Sequence, residues 1–287
     1  LGFPENDQGS TRTLLTYSIV QANLSEDDIS INLKPKTIEY DGNDHNTPEE
    51  REKFSIGVYV AKVFRNLNKN EFNIIWPTKT NSEPEECKNV GDYGVRIVPK
   101  ASTGYTGAAS TMFTIVPYNI GQENTAFKLK LDKTEFDFSR EESQKPTVEV
   151  VKSDGVSQED YDKLNFSTDK DNPDYIVEYY NAEKNEDGSY KELTSGAGKK
   201  VVVVKGKNPY SYNKESTEGL NCNFTGMLTA TYNINGTDIN SSEVNTSVIP
   251  ESFTYNGNEQ KPDVIITKAK NGSTASLKEG TDYTVVW

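Results

Sequence analysis

Two cysteines in 287 residues, Cys87 and Cys222, are too few and too widely spaced for a metal or redox motif. They leave one disulfide or two free thiols open, and such sparse usage does not indicate a compartment. Histidine is scarcer still. His45 is the single one, set in the turn-rich run Asp41-Gly42-Asn43-Asp44-His45-Asn46, where an exposed loop position is expected. No Gly-x-Ser-x-Gly elbow supplies a serine that it could activate, and no glycine loop is arranged to cradle phosphate. Positive charge is in deficit, with 31 basic against 44 acidic residues and a net charge of -13. That balance excludes a basic footprint for nucleic acid and is repelled by anionic lipid, so neither is an expected partner. No apolar run approaches the ~18 residues of a membrane span, and the densest, Val201 to Val204, is strand-sized.

What the sequence has in quantity is tyrosine and phenylalanine, 16 and 11, amid asparagine, glycine and serine turns. Aromatic and β-branched residues between turn formers favour strands. Hydrophobic residues make up 33% and are dispersed, which suits several small cores better than one large one.

The chain repeats itself. Glu71-Phe72-Asn73-Ile74-Ile75-Trp76, Asp174-Tyr175-Ile176-Val177-Glu178-Tyr179 and Asp282-Tyr283-Thr284-Val285-Val286-Trp287 share one pattern: acid, aromatic, any, Ile or Val, any, aromatic. Apolar residues at every second position put one strand face into a core. Phe72 and Tyr175 are 103 residues apart, and Tyr175 and Tyr283 are 108 apart. An immunoglobulin-sized module has about that length.

Other registers keep the same order. Thr37-Ile38-Glu39-Tyr40, Glu135-Phe136-Asp137-Phe138 and Phe253-Thr254-Tyr255 each carry an aromatic before a polar turn, with Leu33, Leu131 and Val248 seven residues ahead of that aromatic. Gln144-Lys145-Pro146 introduces Val148-x-Val150, and Gln260-Lys261-Pro262 introduces Val264-x-Ile266. The first copy has Ile56-x-Val58-x-Val60 after a charged insertion. Gly91 to Ile97 parallels Gly198 to Val204, and Tyr105-Thr106-Gly107 parallels Phe224-Thr225-Gly226. Phe113-x-Ile115 and Tyr232-x-Ile234 read as closing strands, and Leu15-x-Tyr17-x-Ile19 reads as another from an earlier copy. The expected divisions are residues 1–20, the close of a preceding module; 21–120, a full module; 121–234, a module with loop insertions; and 235–287, an opening half. Asn181 to Gly196 reads as a polar hairpin-like insertion and Asn208 to Gly226 as a lengthened loop.

The aromatic-turn, Gln-Lys-Pro-x-Val, Gly280-Thr281-Asp282-Tyr283-Thr284-Val285, Gly-x-x-x-Val and Tyr-Thr-Gly elements together resemble the bacterial Ig-like tandem repeats of Gram-positive cell-surface proteins. The resemblance is closest in the last copy and loosest in the first, which lacks the Gln-Lys-Pro element. It implies an all-β fold of immunoglobulin-like antiparallel β-sandwiches in an elongated array, and an extracellular stalk or adhesion role at the cell surface. It brings no catalytic residue and no ligand.

The remaining motifs have plain explanations beside their chemical ones. Asp169-Lys170-Asp171-Asn172-Pro173-Asp174 carries oxygen ligands suited to calcium. It lacks the glycine and closing glutamate of an EF-hand, so a turn without metal is the expectation. For a Lys–Asn isopeptide bond, Lys128 or Lys130 with Asn119 or Asn233 are formal candidates, but alternation against Phe127, Leu129 and Leu131 points both lysines outward. Tyr190, Tyr210 and Tyr212 sit in insertions, where tyrosines either stack on sugars or a partner, or cover the end of their own sandwich.

The expected role is therefore a non-enzymatic spacer without cofactors, its links at Val20 to Leu24, Ile120 to Ala126 and Ile234 to Ile239 poor in glycine and only modestly flexible. The alternative is a module that binds a host or cell-wall glycan or glycoprotein through the insertion tyrosines; a further one is an accessory part of a larger surface enzyme. A half-module at 235–287 and a free closing strand at Leu15 to Ile19 also suggest head-to-tail strand complementation between molecules.

Overall fold

A computed structural model describes residues 18, 22–24, 28–79, 82–138, 144–209, 222–270 and 273–287. The protein is nearly all β, with several sheets and two short α-helices among the described residues. In chain order the first run is β1 (Ala22–Leu24), β2 (Ile29–Lys34), β3 (Thr37–Glu39), α1 (Pro48–Arg51), β4 (Ser55–Val60), β5 (Arg65–Leu67), β6 (Phe72–Ile75), β7 (Gly91–Pro99), β8 (Tyr105–Gly107) and β9 (Ala109–Val116). The second is β10 (Tyr118–Asn119), β11 (Phe127–Leu131), β12 (Glu135–Asp137), β13 (Val148–Lys152), α2 (Gln158–Lys163), β14 (Tyr175–Lys184), β15 (Tyr190–Glu192), β16 (Gly198–Gly206), β17 (Phe224–Thr225) and β18 (Met227–Asn235). β19 (Val244–Ile249), β20 (Asp263–Lys270) and β21 (Ser273–Ser276) follow.

The strand order of the first run recurs. Sheets β2-β4-β5 and β3-β9-β7-β6 are matched by β11-β13 and β12-β18-β16-β14-β15, the last strand being an addition, and β19-β20-β21 repeats the smaller sheet. Two parallel pairings recur as well: β1 with β8 and β3 with β9, then β10 with β17 and β12 with β18. Phe72 and Tyr175 both open the strand hydrogen-bonded to the Gly-led strand of their sheet. Tyr283 differs. It makes an isolated bridge to Glu279, and residues 284–287 form no strand. A strand needs a neighbour, and no counterpart of β7 or β16 lies beside it among the described residues.

The chain divides into two compact units: residues 1–128, 152–176 and 205–227 form one, and 129–151, 177–204 and 228–287 the other. In the first unit, Leu33, Val58, Val60 and Leu67 from the smaller sheet are buried, as are Phe72, Val95, Ile97, Phe113 and Ile115 from the larger. β2 lies against β9, so these two sheets enclose one core. The charged insertion before β4 forms α1. Thr47 caps it, accepting from the Glu50 amide at 3.3 Å, and Pro48 starts it. Phe54 just beyond packs edge-on to Trp76 at 5.2 Å and tilted against Phe113 at 4.9 Å, closing that side of the core.

In the second unit, β14 and β15 are the two arms of the insertion read as hairpin-like, paired antiparallel at Tyr180 with Glu192 and Lys184 with Tyr190. β16 is buried on both faces from Lys200 through Val204, whereas β7 alternates buried and open positions. Burial on both faces explains why the densest apolar run of the chain falls here. The β19-β20-β21 sheet buries Ile266 but leaves Val248, Ile249 and Ile265 exposed.

Candidate functional site at Tyr40

Tyr40 follows β3 and is buried to 2% exposure, although it lies beyond the end of the strand. Its hydroxyl donates to the Leu164 carbonyl at 2.9 Å, and its ring meets Phe224 edge-on at 5.5 Å. Burial pushes its phenol pKa up. Phe224 opens β17 and is ringed in turn by Phe166 at 4.8 Å, Phe127 at 5.8 Å and Tyr118 at 6.3 Å. All of these belong to the first unit, which therefore holds a second, aromatic core built from residues on both sides of position 120.

Polar contacts and close backbone approaches surround this cluster. The Glu39 carboxylate accepts from the Asn119 amide at 3.2 Å and from Gln122 Nε2 at 3.3 Å. Asn223 accepts from the Val90 amide at 2.9 Å and donates to Asn89 Oδ1 at 3.0 Å. Gly42, at φ +77°, sits so close to the Lys163 carbonyl that a Cβ would lie 1.9 Å from its oxygen. Gly226, at φ +79°, stands in the same relation to Asn119 Oδ1 at 1.8 Å. Two sequence segments are thus keyed together where a glycine-poor link was expected, and β10, within residues 21–120, pairs with β17 beyond them. An open groove of about 370 Å³ runs beside the contacts, lined by Glu39, Asp41, Asn43, Tyr118, Asn124 and Lys163 among others. Its carboxylates are engaged. Glu39 is held as above, Asp41 accepts from Asn43, and Asp160 accepts from the Ser157 hydroxyl at 2.7 Å.

His45 corrects the expectation of an exposed loop residue: it is 4% exposed. Nδ1 lies 3.3 Å from Glu50 Oε2, and Nε2 lies 3.2 Å from Asp41 Oδ1. The Asp41 carboxylate raises the imidazole pKa more than burial lowers it. Burial opposes ionisation of Asp41, yet contact with His45 and the Asn43 hydrogen bonds bring its pKa down to about 2. The chain folds round this pair because Asp44 accepts from the Asn46 and Cys87 amides, at 3.0 and 2.8 Å, while the His45 amide donates to the Cys87 carbonyl. Chemically the arrangement is a clasp, an imidazole between two carboxylates that fixes the turn carrying Gly42.

The other singled-out residues fall as follows. Tyr190 opens β15, stacks on Tyr180 at 6.1 Å and lies under Lys184 Nζ at 5.1 Å, so its ring covers its own hairpin. Tyr210 and Tyr212 lie outside the described residues, as does the closing strand read at Leu15 to Ile19 apart from Ser18. In the acidic loop, Asp174 Oδ2 accepts from the Ser167 amide at 2.7 Å and Asp169 Oδ1 from the Asp171 amide at 3.0 Å, both turn contacts. Lys128 and Lys130 point outward and pair with Asp154 and Glu149. Both cysteines are free, and burial pushes the Cys87 thiol up to about 12. Lys200, not singled out from the sequence, is 2% exposed and donates to Asn181 Oδ1 at 2.6 Å. Its signal was parity: in β16 it shares a face with Val202 and Val204.

No family model matches the chain, and no curated protein matches it significantly.

Proposed function

We propose that this protein is a non-catalytic load-bearing segment, a stalk of tandem immunoglobulin-like modules from a secreted bacterial surface protein. The observation that carries the reading is the repeated parallel pairing. β1 runs beside β8 at the start of the closing stretch, and β3 runs beside β9 at its end, with Thr37 opposite Thr114 and Glu39 opposite Val116. Chain entering a module beside Tyr105 and leaving past Val116 exits at opposite ends of that stretch. Tension then pulls the parallel partners past one another and loads their hydrogen bonds together rather than one at a time. β10 with β17 and β12 with β18 repeat the device. The keyed contacts at Tyr40 and Gly42 support the same reading, since a spacer transmits position only where neighbouring modules hold their orientation.

Single-molecule pulling from the two ends tests this. The expected trace has one high-force step per complete module, each releasing roughly 300 Å for about 95 residues at ~3.3–3.6 Å apiece. A single undivided step, or extension without force peaks, overturns it. A glycan array belongs beside the pulling experiment: selective capture of one glycan would move the assignment to a binding module.

A further inference from the structure

In the second unit a lysine amine is aimed at an asparagine amide. Asn181 belongs to β14 and Lys200 to β16, neighbouring strands of one sheet. Lys200 is 2% exposed, and its Nζ lies 2.6 Å from Asn181 Oδ1. The amide itself is fixed by the insertion. Asn181 Nδ2 donates to the Glu192 carbonyl at 2.7 Å, and Oδ1 accepts from the Thr194 hydroxyl at 3.2 Å and the Thr194 backbone amide at 3.4 Å. Those two donors meet the oxygen on which charge gathers when the amide carbon is attacked. Thr194 Oγ1 also accepts from Lys200 Nζ at 3.4 Å, so one hydroxyl touches both the amine and the amide. The first copy has no such pair: taking Gly91 with Gly198, the position of Lys200 is held there by Tyr93.

Burial lowers the Lys200 pKa against the opposing pull of the Glu183 charge. More of its amine is therefore neutral, the form able to attack, than in an exposed lysine at the same pH. Two groups held at contact distance also react without the entropic cost of finding each other. We propose that Lys200 and Asn181 condense into an intramolecular amide bond, releasing ammonia. The neutral Nζ adds to Asn181 Cγ, and the carbonyl electron pair moves onto Oδ1, where Thr194 stabilises it. The Nζ proton passes through Thr194 Oγ1 to Nδ2, the Cγ–Nδ2 bond breaks, and ammonia leaves. Newly made chain carries Lys200 as a free ammonium, and the bond accumulates with time, so the Lys200 charge bears on stability only before it forms. The chemistry does not rest on the load-bearing role, although the bond would serve it by taking residues 182–199 out of the path of tension.

Mass spectrometry of the full chain tests it. Protein held at about pH 9, nearer the lysine range, should lose the mass of one ammonia, and its digest should contain a branched peptide joining residue 181 to residue 200. Lys200→Met should yield no branched peptide. Thr194→Val keeps the shape but removes the hydroxyl, and should slow the conversion on the order of a hundredfold. An unchanged mass overturns the proposal. So does ammonia loss without the branched peptide, which marks an asparagine cyclised on its own backbone. Conversion at full rate in Thr194→Val overturns the proton path. In pulling, the bonded chain should show one step shortened by roughly 60 Å, about 18 residues at ~3.3–3.6 Å apiece. Steps per module would persist without the bond, which separates this failure from that of the stalk reading.

Discussion

Gly42 lies against the Lys163 carbonyl with no room for a side chain, a Cβ there falling 1.9 Å from the oxygen, while Gly104, at the same φ of +77°, has nothing within 4 Å. The two glycines thus separate two costs that usually come together. Gly104→Ala meets only the left-handed backbone penalty, roughly 1 kcal/mol. Gly42→Ala meets that penalty and a backbone clash that no side-chain rotation relieves, and should lose about 3 kcal/mol or more. Chemical denaturation of the two variants checks this; equal losses would mean that the Gly42 contact yields without effect.

Tyr40→Phe removes one oxygen and leaves the Leu164 carbonyl without its buried donor. The edge-on contact with Phe224 is retained, so the loss should stay at about 1–3 kcal/mol. Phe224→Ala should cost more, about 3–5 kcal/mol, because four aromatic neighbours lose their common partner.

How much of this was readable in advance follows from the kind of signal each feature leaves. Alternation marked β4, β7, β9 and β18, a continuous valine run marked β16, and self-similarity put them in order, because a strand face buried in a core repeats with period two. The contacts of Tyr40 left no such trace. Asp41-Gly42-Asn43-Asp44 is turn chemistry whether the turn faces water or another segment, and only the partner, 120 residues on, decides which. His45 was misplaced for the same reason: a polar turn predicts exposure unless something covers it, and Cys87 and α1 do so through pairings invisible to local pattern.

The clasp at His45 should make stability depend on pH in a stated direction. Its folded pKa is raised, so its contribution is complete below the unfolded value near 6.5 and is lost as pH rises through the folded one. Asp41 works oppositely. Its folded pKa of about 2 against 3.8 means that its contribution is present above 3.8 and lost as pH falls toward 2. The pair therefore stabilises most between roughly pH 4 and 6.5. As the only histidine, His45 can be titrated by NMR without assignment; a midpoint at or below 6.5 would contradict the ion-pair geometry. His45→Gln should flatten stability above pH 6.5.

Cys87 should behave as a packing residue. With its thiol pushed up to about 12 by burial and then by Asp44 and Glu85, it holds almost no thiolate at neutral pH. Alkylation by iodoacetamide at pH 8 should leave Cys87 unmodified in the native protein and modify it fully in denaturant. Rapid native labelling would show that the Asp44–Cys87 contact opens.

Lys200 offers the sharpest contrast between charge and shape. Burial lowers its pKa against the opposing pull of the Glu183 charge; Asn181 Oδ1 accepts its hydrogen bond at 2.6 Å, and Thr194 Oγ1 lies at 3.4 Å. A buried ammonium held by neutral oxygens bears a desolvation penalty that hydrogen bonds offset only in part. Lys200→Met keeps the length and removes the penalty. Asn181 Oδ1 keeps the Thr194 hydroxyl at 3.2 Å, so it is not orphaned by the change. The variant should match the parent or exceed its stability by about 1 kcal/mol, whereas Lys200→Ala should lose about 1–3 kcal/mol through the space it leaves. The pH response distinguishes the two causes. A folded pKa below the unfolded one makes the parent gain stability as pH rises from the folded value toward 10.5, and Lys200→Met should lack that gain. If Lys200→Met instead loses as much as Lys200→Ala, the ammonium and its Asn181 bond, not the aliphatic stem, hold the hairpin over β16.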